Sequence, residues 1–190
     1  MKRNIIIFAA MALCLAGCGQ KPDMYREALE TEIIRLVGAD AKVTFNTVER
    51  IDSTTFGQEI ERRIKTFSLK LDQDTNFYNK YKKDGMAKNA DLKKKAVEMD
   101  QKLLAGMEML RQRIADADSL DVVAYYDYHF TGSAKSSEGI TTFNDNYATI
   151  TPDGKVMSIN DALQGLHKAM GKSIPGYESL IKSNKQEEEE

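Results

Sequence analysis

The apolar positions change period several times along the chain, and each change marks an element. Residues 24–37 place Tyr25, Leu29, Ile33 and Leu36 on one helical face, with Gly38 as the stop. Residues 42–51 alternate as a strand, Val43, Phe45 and Thr47 on one side and Thr44, Asn46 and Val48 on the other. Thr55 stands three residues before Gln58, the spacing of a capping box. From there Phe56, Ile60, Ile64, Phe67 and Leu71 form a helical stripe that runs on through Phe77 and Tyr81 to Asp84-Gly85. In residues 86–117, Leu92, Ala96, Met99, Leu103, Leu110 and Ile114 share a face, with Gly106 in the gap. The two stripes predict a long antiparallel helical pair turned at 83–86.

After Asp118-Ser119 the period falls to two. Residues 120–131 put Val122, Ala124, Tyr126, Tyr128 and Phe130 on an apolar face, and Val123, Tyr125, Asp127, His129 and Thr131 on the other. A Ser-rich loop is expected over 132–139, a partner strand over 140–151, a turn at Pro152-Asp153-Gly154 and a short strand over 155–159. Asn160 or Asp161 can cap a last helix carrying Leu163, Leu166 and Met170, ended by Gly171. Pro175-Gly176 then leads into a short turn at 177–181. The order α-β-α-α-β-β-β-α segregates helices from strands, which predicts an α+β fold. The expected form is an antiparallel meander of about four strands packed against the helical pair. A cystatin-like or NTF2-like curved sheet cupping a helix is the alternative.

The first twenty residues follow a different logic. Lys2-Arg3 precedes thirteen uncharged residues, Ile5–Gly17. A membrane-spanning helix needs about 20 apolar residues, whereas a basic start, a short apolar middle and small residues at the end suit a secretory leader. The tetrad Leu15-Ala16-Gly17-Cys18 resembles the lipobox of bacterial lipoproteins. The resemblance implies cleavage between Gly17 and Cys18, a diacylglycerol on the Cys18 sulfur, and acylation of the new amino terminus. Two or more acyl chains suffice for stable anchoring where one does not. Cys14 would leave with the leader, so the mature chain would hold no disulfide and no free thiol. Gly19 stands where an Asp would mark inner-membrane retention in enterobacteria, which favours the outer membrane. Gln20-Lys21-Pro22-Asp23 is loosely similar to the export stretches of surface-displayed Bacteroidetes lipoproteins. The expected organisation is a leader 1–17, a lipidated tether 18–23, one domain 24–183 and a disordered acidic tail 184–190.

Charge and composition narrow the function. Residues 18–190 carry 25 basic and 29 acidic residues, a net −4, which argues against a nucleic-acid partner. No HExxH, GxSxG or supported Ser-x-x-Lys motif occurs. Asp72-Gln-Asp74-Thr-Asn76 opens like a calcium loop, but Phe77 and Lys83 fall where the turn glycine and the bidentate Glu belong. His129 and His167 are distant in sequence, and no spacing pairs them with Asp127, Asp145 or Asp153. Both are read as surface or structural histidines. No metal, cofactor or catalytic residue is expected. Tyr125 and Tyr147 are the tyrosines left outside the apolar face and open to exposure, but aromatic residues are favoured in strands, so core packing is the expected role. Residues 80–95 carry seven lysines against two aspartates, a basic tip in which Lys93, Lys94 and Lys95 are candidates for contact with an anionic surface. The composite expectation is a non-enzymatic, lipid-anchored envelope protein that presents a domain to protein or envelope partners. A small-ligand module with a pocket between sheet and helices is second, and a hydrolase without a recognisable motif is third.

Overall fold

The computed structural model describes residues 22–186. The fold is α+β, in the order α1 Pro22–Val37, β1 Lys42–Thr55, α2 Phe56–Lys83, α3 Ala87–Asp116, β2 Val123–Ser136, β3 Gly139–Ile150 and β4 Val156–Asn160. A one-turn helix α4, Leu163–Leu166, runs into a 3-10 segment, His167–Ser173, and a helix α5, Tyr177–Gln186, follows. The four strands form one antiparallel sheet in the order β1-β2-β3-β4.

One face of the sheet is covered by α1. Tyr25, Leu29 and Ile33 are buried against Phe45, Tyr128, Phe130, Phe143 and Ile150. The helical face continues at a spacing of four to Val37, which packs on the core, while Leu36 is 58% exposed. Burial here pushes the Tyr128 hydroxyl up to about 12.

The strands depart from simple alternation at bulges. Pairing passes from Phe45↔Gly132 to Thr47↔Thr131, so Asn46 is the extra residue. A single extra residue reverses the parity that follows it. Val48 therefore joins Val43 and Phe45 in the core instead of facing away from them. A second shift leaves out Ile51, which is exposed. The strand continues to Thr55 through Glu49–Ser53, all exposed, because β1 is a sheet edge. That polarity makes the end of the strand, Asp52–Thr55, read as a helix approach, and the strand runs four residues past the expected 42–51.

The Ser-rich stretch expected as a loop is strand: β2 and β3 meet at a two-residue turn, 137–138, whose Ser137 N–H donates to Asp40 (2.7 Å). That bond holds the Asp40 carboxyl below its usual range. Gly132 lies inside β2, where a β-carbon would collide with the Thr44 carbonyl of the neighbouring strand.

The capping box forms as the spacing predicts. The Gln58 N–H donates to Thr55 Oγ1 (3.3 Å) and the Thr55 N–H to Gln58 Oε1 (2.9 Å). The base of the helical pair packs through Ile60, Met107, Leu110 and Ile114, with Phe56 and Ile64 beside them. The expected terminal turn is instead the ten-residue helix α5. Leu180 of α5 fits over Gly106, where a β-carbon would meet it. Beyond this base the pair continues as an arm, reversed at Asp84-Gly85, where Gly85 takes φ +69°. The 14 residues from Lys70 to Lys83 extend it by about 20 Å at 1.5 Å per residue. Leu92, expected inside the pair, is 61% exposed, and Ala90 is buried in its place.

Replacing Gly132 with Ala should lower unfolding stability by about 1–3 kcal/mol, because its obstacle is backbone. Urea unfolding followed by circular dichroism measures this; an unchanged midpoint would show that β1 can move aside.

Candidate functional site

The face of the sheet opposite α1 carries Tyr125, Asp127 and His129 at alternate positions of β2. Tyr125, outside the apolar face of β2, is fully buried, because the first turns of α2 and the 3-10 segment close over it. Its hydroxyl donates to Glu59 Oε2 (2.7 Å) and accepts from Arg62 (2.6 Å). Glu59, one turn into α2 and without exposed surface, also pairs with Arg62 (2.8 Å) and Arg63 (2.6 Å). Arg63 donates onward to the His167 carbonyl. Burial pushes the Tyr125 hydroxyl far above its ordinary range, so it remains a donor to the carboxylate.

Asp127 continues the network. Thr149 Oγ1 donates to its Oδ1 (2.8 Å), and its Oδ2 meets His167 Nε2 (2.7 Å). The His167 ring lies 5.7 Å from that of Tyr125. Four elements are thereby joined: α2, β2, β3 and the 3-10 segment. A carboxylate beside an imidazole is the orienting half of a general base. Here each oxygen of Glu59 and Asp127 already has a partner within the network. A cavity of about 750 Å³ opens elsewhere, at the base of the helical pair, among Thr55, Gln58, Glu61, Arg111, Leu120 and Asp121. It borders neither His167 nor Asp127.

His129 sits further along the same face. Its Nε2 lies 2.9 Å from Asp145, to which the Tyr147 hydroxyl also donates (3.0 Å). Both histidines therefore have carboxylate partners, joined across strands and loops. Sequence spacing carried no sign of either pair; the alternation of β2 showed only that Tyr125, Asp127 and His129 share a face. Among the described residues, no group of three or more His, Cys, Asp or Glu converges to hold a metal ion.

The arm has a charge lattice of its own. Lys70 lies 2.6 Å from Asp100 and 3.4 Å from Asp74, and Lys93 lies 2.6 Å from Asp74. The Lys93 hydrogen bond holds the Asp74 carboxyl below its usual range. Burial would lower Lys70, but the bond and charge of Asp100 more than offset it and raise the ammonium. Asp100 Oδ2 is buried with no hydrogen-bond partner. The three expected contact lysines are thus divided. Lys93 turns inward, its ammonium also 5.4 Å from the centre of the Phe77 ring. Lys94 and Lys95 face solvent, Lys94 loosely paired with Glu98 (3.7 Å). Lys80, Lys82, Lys83 and Lys88 are exposed around the same tip.

The leader, the Gly17-Cys18 cleavage and lipidation site, and residues 187–190 of the acidic tail lie outside the described residues. Pro22 and Asp23, read as tether, begin α1, and residues 184–186, read as tail, complete α5. Among the described residues no helix is long and apolar enough to cross a membrane. Compared with family models, curated proteins and solved structures, the chain matches none.

Glu59→Gln should destabilise the fold by about 3 kcal/mol, since it removes the fully buried carboxylate on which Arg62, Arg63 and Tyr125 converge. Tyr125→Phe should cost about 1–2 kcal/mol through the lost hydroxyl. Chemical denaturation of both variants checks the ordering. On the arm, Asp74 titrates below an unfolded carboxylate, so its pairing stabilises above about pH 4 and is lost as pH falls through the lowered value. Asp74→Asn should cost about 1–2 kcal/mol at pH 7, less than a fully buried pair because both lysines reach solvent. The difference from the parent should shrink by pH 2. A constant difference in unfolding free energy from pH 7 to pH 2 would refute the assignment.

Proposed function

We propose that this chain is a lipid-anchored cell-envelope protein that acts by contact, with the helical arm as the element that reaches its partner. The observation that carries this reading is the arm: the side chains that tie the pair to the sheet and to α5 cluster at its base. Its outer part, held by the Lys70–Asp74–Lys93–Asp100 lattice, exposes Leu69, Met86 and Leu92. The lipobox tetrad supports the anchor. Only residues 19–21 separate Cys18 from α1, a reach of about 14 Å from the lipid-bearing sulfur to the domain. The internal partners of Glu59, Asp127 and both histidines support a joining role for the polar network over a catalytic one. The outer membrane is the favoured address.

Two measurements on cells test this reading. Cys18→Ser should release the protein from the membrane fraction under detergent-free washing. Crosslinking from residue 86 should capture envelope components with the parent protein and lose them with the released variant. Retention of the Cys18→Ser protein in membranes would overturn the anchor, and capture from residue 140 but not from residue 86 would overturn the arm.

A further inference from the structure

Resting on the reading of the arm as the contact element, we propose that its tip docks on an anionic phospholipid surface, that of the membrane in which the protein is anchored. Residues 80–95 sum to +5, and since the whole chain sums to −2, the remainder carries −7. Lys93 is neutralised internally by Asp74, but Lys80, Lys82, Lys83, Lys88, Lys94 and Lys95 remain exposed. The positive charge is thus concentrated on one projecting apex of an otherwise acidic protein.

Three features favour a lipid surface over a protein partner. The first is composition. Between Arg63 and Arg111 there is no arginine, so the basic residues of the outer arm are all lysine. Protein interfaces enrich arginine and deplete lysine, because a guanidinium fixes geometry and an ammonium is a hydrated point charge. Diffuse lysine charge suits a field of headgroups with no fixed geometry. The second is shape. The apex Asp84-Gly85-Met86 is a tight helical reversal, with Met86 46% exposed at its end. Lysines surrounding an exposed apolar residue match an interfacial contact, in which stems pack on the apolar layer and ammoniums stay at the headgroups. The third is placement. Met24 lies against Gly154, and the Tyr25 hydroxyl reaches the Pro152 carbonyl (3.4 Å), so α1 begins at the β3–β4 turn. The register pairs Ile150 with Tyr126 and Tyr126 with Ser53, so this is the sheet end from which β1 passes into α2. Arm and anchor leave the sheet at the same end. A short tether there would hold the root of the arm near the bilayer, so the tip could be no further from it than the length of α2, about 40 Å at 1.5 Å per residue, which raises its effective concentration at the surface.

The test uses the mature lipidated protein carrying Met86→Cys, labelled with an environment-sensitive dye and reconstituted into vesicles with a lipid-borne quencher. In lipidated protein the sulfur of Cys18 is blocked, so labelling at a second site would report failure of the anchor reading separately. With phosphatidylcholine containing phosphatidylglycerol, quenching at residue 86 should be at least threefold greater than with phosphatidylcholine alone. It should fall to the neutral level in 0.5 M salt and in the Lys82→Glu/Lys83→Glu/Lys88→Glu variant, whose substitutions are all exposed. Ile140→Cys, at the opposite end of the sheet, should stay unquenched throughout. Equal quenching on neutral and anionic vesicles, or no effect of salt and charge reversal, would overturn the proposal. So would protection of residue 86 only when envelope proteins are added, which would make the partner a protein.

Discussion

Glu59 has no exposed surface, and a carboxylate in that position must be answered by donors or it will not stay charged. Arg62, Arg63 and the Tyr125 hydroxyl answer it, and they come from two different parts of the chain. The arginines lie three and four residues on, so helical geometry alone brings them to Glu59. Tyr125 arrives from the sheet, which means that α2 can satisfy its buried charge only in one orientation on β2. Asp127 and His167 extend the same constraint to the carboxy-terminal segment. The base of the arm, the second face of the sheet and the path of the chain after β4 all depend on this one set of contacts.

How much of this was legible in the sequence follows from what each signal measures. Helical stripes report burial over many residues, so α1, α2, α3 and their boundaries were readable, down to the Thr55–Gln58 capping box. Strand alternation reports parity, and parity fails at a bulge: Asn46 moved Val48 to the face that residue counting denied it. Polarity reports exposure, not loop, which is why the last residues of β1, Asp52–Thr55, and the Ser-rich end of β2 were hidden. The polar network was invisible for a different reason. The contacts between its elements span 22 to 104 positions, and only the tertiary fold brings Glu59, Tyr125, Asp127 and His167 together. Lys93 was misleading in the same way, since a lysine among lysines gives no sign that Asp74 waits on the facing helix.

The two charge clusters divide the labour along the helical pair. At the base, buried charges are matched to the sheet and fix direction. Along the arm, the Lys70–Asp74–Lys93–Asp100 lattice binds the two helices to each other where apolar packing thins. Salt bridges open to solvent contribute modestly to stability, yet here they are what keeps a two-helix projection in register beyond the core. An element with that construction can carry exposed lysines to a fixed distance from the sheet.

A contact arm is useful only if its direction is fixed. Spin labels at residues 86 and 140, at the arm tip and the far sheet hairpin, report that direction as a distance distribution by pulsed electron paramagnetic resonance. A single narrow distance that broadens in Glu59→Gln is the predicted result. A broad distribution in the parent protein, unchanged by Glu59→Gln, would show that the arm swings freely and that the Glu59–Tyr125 junction does not orient it.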